Sequence, residues 1–215
     1  MVKSKILSIK GVEHSFMDRR GSLSQITSEM LKESYTCQQI HRNKVAVKGD
    51  AHFYPGCDGI IAGKNSLICL RTADCLPIFL YSPDKKIIAA LHAGWRGLSM
   101  LIVAKAFEKF KTLALNWKNV IAAIGPHIGQ CCYQVDAKVA EIFASLDKKN
   151  TSFVKSNEGI LYLDLGGIAF NQLVKIGIPP SNIEDVNVCT SCHSEYFSWR
   201  RDKTSCRNLS FIKIT

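Results

Sequence analysis

The 215-residue chain is 47% hydrophobic and 21% charged, the make-up of one globular domain large enough to bury a core. Its net charge of +10 comes from scattered lysines without a basic, aromatic-interleaved block, which argues against nucleic acid and for a small anionic ligand. No apolar run reaches the roughly 20 residues that cross a bilayer, and nine cysteines behind an N-terminus unlike a signal peptide predict reduced thiols in a cytoplasmic protein.

In chain order, strands are predicted at 6–9, 45–48, 59–62 and 67–71. A hairpin follows, with buried strands at 76–81 and 87–91 and Pro83-Asp84 as the turn between them. With the turn centred there, Cys75 lies directly across from His92, at the roughly 4.5–5.5 Å Cβ separation of opposed residues. A longer loop shifts that register. Residues 98–115 read as a helix with Val103, Phe107, Phe110 and Ala114 on one face. A strand is predicted at 120–124, and Asp136 can cap a helix striped by Val139, Ile142, Phe143 and Leu146. After a strand at 160–163, a third helix ends at Ile176, before Gly177 and Pro179-Pro180. Strands at 186–189 and 209–214 complete the series. Hairpins and separate helices predict an α+β fold of mixed sheets packed with a few helices, a single domain over 1–215.

The chemistry-bearing residues gather at strand ends. His41 precedes one strand, Cys75 opens the hairpin, and His92 closes it ahead of Gly94 and Gly97, which permit a tight turn. Two imidazoles and a thiolate leave a fourth tetrahedral position open, the pattern of a catalytic zinc site. Singly, each is more commonly an ordinary buried cysteine or hydrogen-bonded histidine; the set is what points to a metal. Arg71, Arg96 and the Arg200-Arg201 pair are candidates to hold phosphate, with pairing to Asp74 or a solvated basic end as the alternatives. Asn43 is placed to orient a ribose hydroxyl. His52 and His127 read as ordinary histidines. Cys189-Thr190-Ser191-Cys192-His193 matches a haem-attachment pattern without an export route, so a reduced thiol pair is the reading. Cys131-Cys132 read as packing, because adjacent cysteines do not readily chelate one tetrahedral ion.

The segments QQIHRNKV, DGIIAG, RTADCLPIFLY, HAGWRG, IGPHIGQCCYQV and FSWRRDKTSCR, in this order, resemble the YfiH family from residue 38 to the C-terminus. That family is also called the laccase-domain or multicopper polyphenol oxidoreductase proteins, and is regarded as purine nucleoside phosphorylases. The resemblance implies a YfiH-like catalytic domain with zinc held by His41, Cys75 and His92. It implies phosphorolysis of adenosine, inosine, guanosine and methylthioadenosine, with adenosine deamination at the same site. Asp74, Cys75 and His92 are then the catalytic candidates, Asp74 orienting a ligand or carrying a proton. Asn43, Arg71, Arg96 and Arg200 are the substrate-binding candidates. The expected partners are purine nucleosides and phosphate, with no nucleic acid and no membrane.

The family's older name asserts copper-dependent polyphenol oxidation. The six histidines here include no His-x-His pair and cannot build a four-copper cluster, although the same three ligands accept a single copper. A further alternative is an amidase editing peptidoglycan precursors, with Cys75 as nucleophile and His92 as base. The chain departs from the family pattern at Arg42, where Gly is usual, and at Cys206, where Gly precedes the Arg. The stretch between Ser24 and Gln38 is also short. One pocket wall therefore differs, or a second subunit of a homo-oligomer completes it.

Overall fold

The computed structural model describes residues 1–113 and 116–215. At its centre lies a six-stranded sheet, running from one edge to the other as Ile183–Asp185, Ile121–Ile124, Leu76–Ser82, Ile87–Ala93, Gly59–Ala62 and Val45–Val47. The inner pairs are antiparallel and the two edge strands join parallel. Strand Leu76–Ser82 is buried along its whole length, because both faces of the sheet are covered. The two-residue period divides its side chains between two cores. Leu76, Ile78 and Leu80 pack with Val103 and Phe110 of helix Ile102–Lys111 and with Ile168 and Leu173 of helix Leu165–Lys175. Phe79 and Tyr81 face the other way, among Ile68, Leu70 and Ile212 of a three-stranded sheet built from Glu13–Phe16, Asn208–Ile214 and Ser66–Thr72. Phe16 stacks on Phe79 with ring centroids 4.8 Å apart. The α+β architecture is thus a helix layer, a central sheet and a second sheet.

Several elements depart from expectation. The hairpin pairs Leu76 with Ala93, Pro77 with His92 and Ser82 with Ile87, leaving a four-residue loop at 83–86. A two-residue hairpin turn needs a positive φ at its first position, which proline cannot adopt. Pro83 therefore forces the longer loop, closed by Lys86 at φ +50°. The register moves with it, and Cys75 comes to face Gly94 instead of His92. Residues 6–9 belong to a helical turn, Lys5–Ile9, whose N-cap is Ser4. The helix expected over 98–115 is two helices, Trp95–Ser99 and Ile102–Lys111, separated by Leu101 at φ +58°. Ala114 and Leu115 fall outside the described residues. The strand expected at 186–189 lies earlier, at Ile183–Asp185, and Asn187 at φ +52° turns the chain away. No helix among the described residues is long and apolar enough to cross a membrane.

His14 is buried in this framework and takes no part in the cleft. The Ser4 amide donates to its Nε2 at 2.9 Å, so Nδ1 carries the proton and donates to the Val12 carbonyl at 2.8 Å. Burial pushes its pKa below 6.5. The native state therefore holds His14 neutral, and its contribution is complete above pH 6.5 and erodes as pH falls below it. Urea midpoints measured on either side of that value are expected to show the loss, and a His14→Phe variant to lose less.

Candidate active site

The site forms where the hairpin's open end meets the loop at 38–43. His92 projects near the end of its strand, Cys75 lies just before the partner strand, and His41 reaches in from the loop. The three offer ligand atoms that all lie within 4.8 Å of one another. The His41 and His92 rings meet edge to face, with centroids 4.8 Å apart. Gly94 makes the convergence possible. A Cβ there would sit 2.9 Å from Cys75 Sγ and 3.6 Å from the His41 ring, closer to the sulfur than real Cβ atoms come.

Asp58, wholly buried, fixes two of the three and was not singled out by the sequence reading. Its Oδ1 accepts from the His41 amide at 2.7 Å and from His92 Nδ1 at 2.8 Å, while Oδ2 accepts from the Arg42 amide at 2.8 Å. This clamp holds His41 in the left-handed region at φ +59°, a conformation unfavourable for a non-glycine residue. It also fixes His92 Nδ1 as a donor and so turns Nε2 toward the site. Burial opposes the charged ring, but Cys75 and Asp58 raise the imidazole to about 9, so Nε2 gives up a proton on binding a metal. Burial alone would raise the Asp58 carboxyl, yet His92 and the two amides hold it below the usual carboxylate range. Burial likewise opposes ionisation of Cys75, but the charge of the His92 imidazolium and hydrogen bonds from His41 and His92 bring its thiol down to about 6. The thiolate is the form that binds metal or attacks as a nucleophile. An N₂S donor set with an oriented histidine fits a tetrahedral cation of the zinc type, and these residues could hold one.

A cleft of about 650 Å³ opens on the three. Its size suits a small-molecule ligand. Trp95, Tyr133 and Trp199 give it aromatic walls, and burial raises the Tyr133 phenol above its ordinary value, so the hydroxyl stays protonated. Arg71, Arg96, Arg200 and Arg207 also line it.

The expected substrate residues fare differently. The Arg71 and Arg96 guanidinium groups make no hydrogen bond to a described residue; Arg96 lies over the Trp95 ring at 4.4 Å. Arg200 donates instead to the carbonyls of Cys132 and Gln134, at 3.2 and 3.0 Å, which leaves its fork largely occupied. Arg201 is spent on Asp202 and on the carbonyls of Thr190, Ser191 and Tyr196, so it clamps that loop and does not reach for phosphate. Asn43 does not line the cleft. Its amide donates to the Met100 carbonyl at 2.7 Å, an acceptor freed by the helix break at Leu101.

Asp74 is tied to the protein on both oxygens, by the Thr190 hydroxyl at 2.7 Å and the Arg200 amide at 2.7 Å. It pairs with neither Arg71 nor Arg96. Held at φ +85°, it positions Cys75 beside it, a role better suited to these bonds than proton transfer. His52 stacks on Tyr35 at 4.8 Å, and buried His127 bonds the Gly125 carbonyl at 2.9 Å; both lie outside the cleft.

The family model described as multi-copper polyphenol oxidoreductase laccase matches residues 12–215. A purine nucleoside phosphorylase of Clostridium acetobutylicum is 36% identical over 160 residues, which cover 72% of this chain and 66% of the relative. An adenosine deaminase from an unknown prokaryotic organism is 31% identical over 175 residues, covering 80% of this chain and 64% of the relative. The chain thus spans just under two thirds of the length of each. The crystal structure of YlmD from Geobacillus stearothermophilus shares the fold with a TM-score of 0.81 at 30% identity, covering 91% of this chain and 77% of that one.

Proposed function

Because the chain belongs to the multi-copper polyphenol oxidoreductase laccase family, the YfiH group its motifs indicate, we propose that it is a metal-dependent purine nucleoside phosphorylase that also deaminates adenosine at the same site. The observation that carries this reading is the placement of His41, Cys75 and His92 in an aromatic-walled cleft that also presents two guanidinium forks without a hydrogen-bond partner among the described residues. Zinc held by those three residues would supply Lewis acidity and acidify a water at its open corner.

The chain's own side chains account for the rest. A purine stacks against the tryptophan and tyrosine walls, a contact tolerant of which purine is present. Arg71 and Arg96 hold phosphate as paired donors. In phosphorolysis the bond from the sugar C1′ to the base nitrogen breaks, the base leaves with the electron pair and takes a proton, and a phosphate oxygen bonds C1′. Positive charge builds on the sugar as this happens, and phosphate fixed beneath it offsets that charge. In deamination a water oxygen replaces the amino group on the purine ring and ammonia departs.

Incubation with adenosine and phosphate, followed by chromatography, is expected to yield adenine and ribose 1-phosphate; without phosphate, inosine and ammonia. Unchanged adenosine with metal-replete protein would overturn the reading. Arg71→Ala or Arg96→Ala removes charge-assisted bonds to phosphate worth about 1.5–3 kcal/mol each, so phosphate binding is expected to weaken about tenfold or more while deamination persists.

One observation favours a second reading. Asp58, His92 and Cys75 make an orienting acid, a base and a thiolate, the parts of a cysteine hydrolase. Amide cleavage that survives chelation and stops with iodoacetamide would establish it.

A further inference from the structure

A second cluster of ligand side chains lies apart from the His41–Cys75–His92 set. The turn at Gln130–Cys132 and the turn at Thr190–Cys192 face each other, joined by the bridge of His127 to Cys189. They bring together Cys131, Cys132, Cys189 and Cys192, whose four sulfurs all lie within 4.8 Å of one another. Three of the separations are 3.7 Å for Cys131–Cys132, 3.5 Å for Cys131–Cys192 and 3.4 Å for Cys132–Cys192. A zinc ion bound by four thiolates at about 2.3 Å has sulfurs about 3.8 Å apart along the edges of the tetrahedron. A disulfide would need about 2.05 Å. The spacing is that of a chelate, and adjacency of Cys131 and Cys132 does not prevent it.

The backbone is shaped to the same end. The Gly129 amide donates to Cys189 Sγ at 3.2 Å, a bond that favours the thiolate. A Cβ at Gly129 would sit 3.2 Å from Cys189 Cβ and 3.3 Å from Cys131 Sγ, so a side chain there would crowd the two turns apart. Cys131 and Cys192 are exposed and the other two half-buried, which gives a cation a way in.

We propose that Cys131, Cys132, Cys189 and Cys192 form a structural zinc site. Four thiolates and no open corner suit a closed, non-catalytic centre. It staples the loop that leads into Tyr133, an aromatic wall of the cleft, to the loop whose Thr190 holds Asp74 beside Cys75. Zinc there fixes the far wall of the cleft without entering it.

Zinc content of full-length Cys75→Ser protein, purified under reducing conditions, isolates this centre from the other. One zinc per chain is expected, falling to none when Cys189→Ser and Cys192→Ser are added. Chelation of the Cys75→Ser protein is expected to lower its melting temperature and expose four additional thiols to Ellman's reagent. Cobalt substituted into the same protein is expected to give the sulfur-to-cobalt charge transfer of a tetrahedral thiolate site. Cys75→Ser protein without zinc, with thiol reactivity indifferent to chelator, would overturn the proposal. So would a disulfide from Cys192 to Cys131 or Cys132 in freshly purified reduced protein. Wild-type protein with one zinc that Cys75→Ser retains would support this site while counting against metal at the other.

Discussion

Cys75→Ala protein is expected to fold, to carry one fewer equivalent of divalent metal than the wild type, and to turn over no nucleoside. Cys75 belongs to neither large core cluster, and its neighbours Asp74 and Leu76 keep their own partners, so little of the fold rests on its sulfur. What the substitution removes is the one anionic ligand among the three. Two imidazoles alone bind zinc weakly, and several kcal/mol of charge stabilisation in the reaction goes with the cation, about three orders of magnitude in rate or more. Metal analysis, circular dichroism and chromatography of reaction mixtures check the three parts separately. The same loss of turnover would follow if Cys75 were a nucleophile, so His41→Ala is the discriminating companion. Without His41 a cysteine hydrolase keeps its thiol, base and orienting acid and loses only part of what favours the thiolate, whereas the metal set loses a ligand. His41→Ala protein that keeps full activity would end the metal reading.

That His41, Cys75 and His92 come together was legible because they sit at strand ends beside motifs with little freedom: a Cys before an apolar strand, a His closing the next, and a glycine after it. Their true relation was less so. Cys75 and His92 meet diagonally, because Pro83 lengthens the loop and the space opposite the sulfur belongs to Gly94. Residues 6–9 illustrate what local pattern cannot carry. Ile6-Leu7-Ser8-Ile9 reads as a strand, but the Glu184 carboxylate accepts from the Ser4 hydroxyl at 2.8 Å and from the Ile6 amide at 3.0 Å, and that distant partner secures a helical turn. Asn43 and Asp74 lie next to His41 and Cys75 in sequence and Arg200 offers a guanidinium fork, yet each is engaged with backbone or hydroxyl groups that only the tertiary fold supplies. The four-thiol cluster was hidden for the same reason: its halves are about 60 residues apart, and neither is a zinc motif on its own. Asp58 left only a faint trace, an acid immediately before a buried strand where a charge is costly unless paired.

That buried acid gives the second large effect. Asp58→Asn changes little in shape, yet it cannot serve the three donors Asp58 now satisfies. An amide offers one oxygen and one donating nitrogen, whereas His41, Arg42 and His92 all present N–H groups to the carboxylate. With the oxygen toward His92, the Arg42 amide faces a donor. With the nitrogen toward His92, Nδ1 must become the acceptor, which moves the ring proton to Nε2 and blocks it as a ligand. Either way one partly buried backbone N–H loses its acceptor, at a cost of about 1 kcal/mol in stability. Loss of the orienting partner is expected to weaken metal binding by about 10–100-fold. Competition with a chromogenic chelator measures the affinity and urea unfolding the stability. Excess zinc is expected to restore turnover to Asp58→Asn protein but not to Cys75→Ala, since the first keeps all its ligands and the second does not. If Asp58→Asn left zinc affinity unchanged while lowering stability, Asp58 would be a fold clamp alone, and the orientation of His92 would need another source.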